Sequence, residues 1–221
     1  MAERSTAGEK NQTKVKPARL FVGTFLPASA QESLESLTTA NQSLGELWQH
    51  KLRWVKRAKL HITWLFLGNV DQSLIPALSE AIEKCVFAFA SAHKGEHLTI
   101  EYDRIECWPS QKKPRLIVLT PSHPQRPIIE LGKQIRSHLA HFAEQEEDKE
   151  FRPHVTLARA QATLVKGSPL AARKASVSDI KSPSGLFPLK QEISEISLIE
   201  SHLGAGDQYE EIARFELFPS R

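Results

Sequence analysis

The feature that most constrains this chain is that it repeats itself. Arg19-Leu-Phe-Val corresponds to Arg115-Leu-Ile-Val, His61-Ile-Thr to His154-Val-Thr, and His97-Leu-Thr-Ile to Gln191-Glu-Ile-Ser, all at an offset of about 95 residues. A fixed offset marks internal duplication, and two copies make a pair of lobes, not a solenoid. Arg19–Phe25, Leu60–Leu67 (stopped by Gly68-Asn69), His97–Cys107, Arg115–Thr120, Pro153–Ala158, Glu192–Ile199 and Tyr209–Phe218 read as strands. Apolar residues at helical spacing predict helices over Ser29–Trp48, with a Ser29/Glu32 capping box, over Ser73–Ala92 and over Pro124–His141. Strand-helix-strand units in duplicate predict an α+β fold: two lobes with mainly antiparallel sheets flanking a central cleft. The lobes span roughly 19–110 and 111–221 of a single domain, 19–221, with strands free to exchange between them. Residues 1–18 carry no aromatic or β-branched cluster and read as a disordered tail.

Composition narrows the function classes. The chain has 221 residues, 29 basic against 26 acidic, a net charge of +3. That balance does not mark a nucleic-acid binder, so any RNA contact must come from local patches. Two cysteines, Cys85 and Cys107, are too few for a disulfide framework or a cysteine zinc site and suit a reducing compartment. The first eighteen residues lack the apolar core of a secretory signal. The apolar run Cys85–Ala90 is far short of the roughly 20 residues a membrane span requires. The expectation is a cytoplasmic monomer with no membrane contact.

The chemistry is written in the repeated His-x-Thr. On a strand, alternate side chains share a face, so His61 pairs with Thr63 and His154 with Thr156. If the halves are related by a pseudo-twofold axis, the two imidazoles and two hydroxyls face one another across the cleft. Imidazoles titrate near neutrality, so one can accept a proton while the other donates. Displacement at phosphorus needs that pair, one group on the attacking water and one on the departing oxygen. The threonine hydroxyls can bond non-bridging oxygens, and Arg152 or Arg159 can grip the phosphate bidentately. Strand alternation puts Arg152 on the face of His154 and Thr156 and Arg159 on the other, unless the strand bends after Thr156. The stretch Lys51–Lys59 offers cations for a phosphate backbone, with Trp54 as a stacking ring, or else it is a solvated loop. The cluster Lys112, Lys113, Arg115 and Trp108 lies beside Pro109 and Pro114 and reads as a turn, and the acidic run Glu144–Glu150 reads as an exposed loop. The pairs His93/His97 and His138/His141 lack a third ligand and read as surface residues, not a metal site.

His61-Ile-Thr-Trp and His154-Val-Thr-Leu resemble the paired HxTx motifs of the 2H phosphoesterase superfamily, and their context resembles its bacterial RNA 2′,3′-cyclic phosphodiesterases, the 2′-5′ RNA ligase family. The likeness runs from Arg19 to Leu217 and includes Leu26-Pro27, Phe151-Arg-Pro-His-Val-Thr-Leu-Ala-Arg, Glu200-Ser-His-Leu and Tyr209. It implies a two-lobed fold, no metal or cofactor, and hydrolysis of RNA 2′,3′-cyclic phosphate ends to 2′-phosphomonoesters. It further implies His61 as proton donor and His154 as acceptor, with Thr63 and Thr156 on the phosphate, and leaves Arg152 and Arg159 undivided. Reversible 2′-5′ joining of RNA ends would use the same groups. A different class of reading keeps the cleft and binds cyclic-phosphate RNA or a nucleotide without turnover. The tail before Arg19 and the Gln161–Pro188 linker depart from the family pattern.

Overall fold

The computed structural model describes residues 17–48, 50–94, 96–111, 114–144, 150–162, 176–202, 204 and 208–218. Nearly all of the tail, Lys112, Lys113, most of the acidic run and much of the linker therefore lie outside the described residues. The strands are β1 (Pro17–Phe25), β2 (His50–Trp54), β3 (His61–Asp71), β4 (Thr99–Tyr102), β5 (Arg104–Trp108), β6 (Leu116–Thr120), β7 (Val155–Ala162), β8 (Leu189–Glu192), β9 (Glu195–His202) and β10 (Gln208–Glu216). The helices are α1 (Ala28–Ala40), α2 (Leu44–Trp48), α3 (Ile75–Ala92) and α4 (Arg126–Leu139).

Seven strands run in the order β10-β9-β1-β3-β7-β6-β5, β2 pairs with β7, and β4 pairs with β8 in a separate two-stranded sheet. Every strand pairing among the described residues is antiparallel. The duplication is visible in this order. β3 pairs with β1 as β7 pairs with β6, and the corresponding strands β4 and β8 pair with each other. The sheet halves do not follow the chain: β9 and β10 join β1 and β3, whereas β2 and β5 join β6 and β7. The halves meet where β3 pairs with β7, at Ile62 opposite Val155, both fully buried.

Several elements differ from the sequence reading. The helix expected over Ser29–Trp48 is two, because Asn41 caps α1 and its amide bonds the backbone of Leu37 and of distant Lys181. The Ser29 capping box does not form; α1 starts one residue earlier, with Pro27 at its N-cap. β3 does not stop at Gly68 but passes through it, since glycine accepts the φ of 80° found there. The strand expected over His97–Cys107 breaks at Asp103, whose carboxylate bonds the Ser122 amide and hydroxyl, so β4 and β5 serve different sheets. The stretch weighed as a solvated loop holds β2 at its start.

α4 buries Ile128, Leu131, Ile135 and Leu139 on one face and packs against β3 and α3. Its buried Gly132 is a point of close approach: any Cβ there would fall inside the Phe151 ring. That ring cannot step aside freely, because it stacks on Trp64 at 5.2 Å.

Candidate active site

The Ile62–Val155 pairing builds the site. In a pleated strand the neighbours of a buried residue point the other way, so His61 and Thr63 from β3, and His154 and Thr156 from the chain entering β7, emerge together on the opposite face. A cavity of about 440 Å³ opens there, and His61, Thr63 and Thr156 line it. His154 lies outside that lining, with its ring 4.5 Å from that of Trp108.

The two histidines are held alike. His61 Nδ1 lies 2.6 Å from the Lys59 carbonyl oxygen, and His154 Nδ1 lies 2.8 Å from the Arg152 carbonyl oxygen. A carbonyl only accepts, so each Nδ1 carries the hydrogen. Each Nε2 is thereby left for chemistry: bare in the neutral ring, protonated in the cation. The likeness extends outward. Lys59 Nζ sits 4.4 Å above the Tyr209 ring, which lies 5.3 Å from His61, and the Arg152 guanidinium sits 4.4 Å above Trp108. In both halves the residue two before the histidine thus supplies a carbonyl to the imidazole and a cation to an aromatic ring beside it.

Arg159, not Arg152, lines the cavity, contrary to the parity expectation. β6 pairs Ile117 with Ala158 and Val118 with Thr156, so Leu157 is an extra residue, a β-bulge. A bulge shifts the alternation by one. Leu157 and Ala158 both turn inward, each at most 2% exposed, and Arg159 rejoins the face of Thr156. β3 has the same irregularity: Gly23 pairs with Thr63 and Val22 with Leu65, Trp64 being extra, and Phe66 joins the cavity. Phe66 and Arg159 are 93 residues apart, like the histidines. Arg152 instead pairs with Glu106 at 3.3 Å.

The cavity also receives Arg53, Trp54, Val55 and Lys56 from β2 and its exit, Arg19 and Phe21 from β1, and Ser201 and Tyr209 from β9 and β10. Among the described residues the lining carries five cations, Arg19, Arg53, Lys56, Lys59 and Arg159, and no carboxylate. Lys51 is not part of it, and Arg57 pairs with Glu32 and Glu35. The Trp54 indole N–H is buried without a partner among the described residues. Sequence reasoning missed Arg19, Phe21, Phe66 and Ser201 as site residues; only Phe66 left a signal, its correspondence with Arg159.

Burial lowers the His61 pKa to about 4, the Lys59 carbonyl opposes the shift, and the charges of His154, Arg159 and Lys59 add to it. Burial also lowers that of His154, against the Arg152 carbonyl and with help from the Arg152 and Arg136 guanidiniums. His61 binds fewer protons folded than unfolded between about 4 and 6.5, and His154 acts in the same direction, so stability is complete above 6.5 and falls as pH drops below it. Denaturant titrations at pH 5 and 7 should show this loss, and His61→Gln should reduce it. An undiminished loss in that variant would assign the dependence elsewhere.

For metal binding, the described residues offer one three-donor group, Glu200, His202 and Glu210, with donor atoms within 4.8 Å. Register places these on the face of β9 and β10 opposite Ser201 and Tyr209, away from the cavity. The histidine pairs weighed earlier are engaged singly. His93 is largely buried, not a surface residue, stacking on Phe89 at 4.0 Å, and His138 bonds the Gln134 carbonyl. No helix among the described residues is long and apolar enough to cross a membrane.

Comparison with known proteins agrees with this architecture. The chain is 27% identical over 165 residues to the RNA 2′,3′-cyclic phosphodiesterase of Bacillus subtilis, covering 75% of this chain and 80% of that one. It superposes on E. coli LigT in complex with 3′-AMP with a TM-score of 0.64 at 23% identity, covering 92% of this chain and 100% of that one. TT0787 of Thermus thermophilus gives a TM-score of 0.64 at 21% identity, over 90% and 97% of the two chains. These likenesses carry the fold. The sequence model of the 2′-5′ RNA ligase superfamily matches residues 27–205, most of the chain, and the protein belongs to that family.

Proposed function

We propose that the protein opens terminal 2′,3′-cyclic phosphates of RNA to 2′-phosphomonoesters. The observation that carries this is the pair of imidazoles on paired strands, each with Nδ1 tied to a carbonyl and Nε2 left for proton transfer. The name of the Bacillus subtilis relative agrees with it. Water attacks phosphorus in line with the bond to O3′, and His154 Nε2 takes the proton from that water. His61 Nε2–H gives its proton to the departing O3′, and the phosphate stays on O2′. One water is consumed, and proton exchange with solvent resets the pair. The hydroxyls of Thr63 and Thr156 and the Arg159 guanidinium hold the non-bridging oxygens.

His61 must be charged to act as acid, and its burial in the cleft opposes that. An anionic phosphate beside it supplies the missing charge and raises its pKa. The five cations of the lining exceed what one cyclic phosphate can neutralise, which favours an RNA end bearing further phosphates over a mononucleotide. With a 5′-hydroxyl in place of water, the same groups would form a 2′-5′ linkage.

The test is an oligonucleotide ending in a 2′,3′-cyclic phosphate, incubated with the protein in excess chelator. The proposal expects ring opening with the phosphate on O2′. Tight binding with an intact ring would instead make the protein a cyclic-phosphate binding module, and a 3′-phosphate product would overturn the assignment of the leaving oxygen.

A further inference from the structure

Arg136 lies on α4, outside the cavity lining. Its Nε donates to the carbonyl oxygen of Trp64 at 3.1 Å. Trp64 is the extra residue of the β3 bulge, the feature that turns Thr63 and Phe66 to one face. Its indole is anchored independently, donating to Thr24 Oγ1 at 2.9 Å, while that hydroxyl donates to the Glu195 carbonyl at 2.8 Å.

The same guanidinium lies 5.4 Å from the centre of the Phe151 ring, which stacks on Trp64. Phe151 immediately precedes Arg152, whose carbonyl orients the His154 imidazole. α4 presses on that ring through Gly132, where no side chain fits. One side chain thus touches the bulge of one half and the approach to the histidine of the other.

We propose that Arg136 is a positioning residue that sets the geometry of His154 relative to the β3 bulge by joining the Trp64 carbonyl to the Phe151 ring. The catalytic part of this rests on the proposed cyclic phosphodiesterase reading; the structural part does not. A cation there also bears on His154 directly, together with Arg152 before it (which pairs with Glu106 on β5) and with His61 on β3. Removing the Arg136 charge should therefore raise the pH at which His154 titrates.

The experiment follows the His154 imidazole by NMR in the full chain, alongside kcat and KM on the cyclic-phosphate oligonucleotide. Arg136→Gln keeps an amide donor for the Trp64 carbonyl and loses the charge and the planar cation on Phe151. The expected result is an upward shift of the His154 titration and a fall in kcat of about tenfold or more, with KM little changed, since small misplacements of reacting groups are costly. A merely structural role would lower stability and leave kcat of the folded protein where it is, so wild-type kcat or an unmoved titration in a folded Arg136→Gln protein overturns the proposal. Should that variant not fold, Arg136→Lys keeps the charge but cannot hold both carbonyl and ring. It should lower kcat with the titration unmoved, and wild-type kcat would overturn the proposal. If the wild-type protein opens no cyclic phosphate, the functional reading fails alone, because the titration still reports on Arg136.

Discussion

Replacing His61 or His154 by alanine should each lower turnover of a cyclic-phosphate end by about 10²- to 10⁴-fold, the usual range for a positioned proton-transfer group. The fold should survive, because both side chains are half-buried and face the cleft while the fully buried Ile62 and Val155 carry the core contact. The double variant should be little worse than the poorer single one, since an acid and a base serving one displacement act as a unit. Multiplying losses would mean that the two act in separate steps. Full activity in either single variant would remove that histidine from the reaction. Circular dichroism and thermal melts on the same samples separate chemistry from unfolding.

Arg159→Ala should lower kcat/KM by about 10- to 10²-fold, as expected when a charge-assisted hydrogen bond to an anion is lost. Arg152→Ala should cost no more than about fivefold, because its guanidinium rests on Trp108 and an exposed pair with Glu106, contacts typically worth under about 1 kcal/mol. The carbonyl that orients His154 belongs to the backbone and survives the change. The reverse ranking would show that the chain at Leu157 is regular in solution and that Arg152 faces the phosphate. Equal and negligible effects would take both arginines out of the site.

These two residues show what a linear reading can and cannot reach. The duplicated His-x-Thr was legible because repeat offset and strand alternation are local, periodic properties. Arg159 was legible as a candidate but the side on which it projects was not, because one extra residue in β7 reverses the alternation and nothing in Thr156-Leu-Ala-Arg announces it. The comparison of halves held the hint, since Thr63-Trp-Leu-Phe66 carries the same inserted pair of buried residues. β2 escaped because its alternating Lys51 and Arg53 resemble a solvated loop until β7 supplies a partner. The break at Asn41 depends on Lys181, 140 residues away, which no window of local sequence contains. Arg19 enters the cavity because β1 pairs with β3, and Ser201 because β9 pairs with β1, both beyond the reach of motif spacing.

The strand pairing also explains how a small duplicated scaffold yields an asymmetric site. The pseudo-twofold gives both histidines the same backbone restraint, whereas the positions three after the threonines differ, Phe66 in one half and Arg159 in the other. Tyr209 flanks His61 and Trp108 flanks His154. A cation beside one threonine and an aromatic ring beside the other give the two ends of the cavity different chemistry, as the proposed substrate, with its phosphate and base at different ends, would require.

The pH dependence of kcat/KM tests the two-histidine account most directly, because that ratio reports ionisations of the free protein. With both imidazoles lowered by burial, His61 to about 4, the account predicts a bell whose alkaline limb begins below pH 6.5. The corresponding limb of kcat should lie at higher pH, since the bound phosphate stabilises the imidazolium. The two apparent values belong to the coupled pair and not to either ring alone. A kcat/KM that rises monotonically from pH 5 to 9 would contradict it, leaving no role for a protonated histidine.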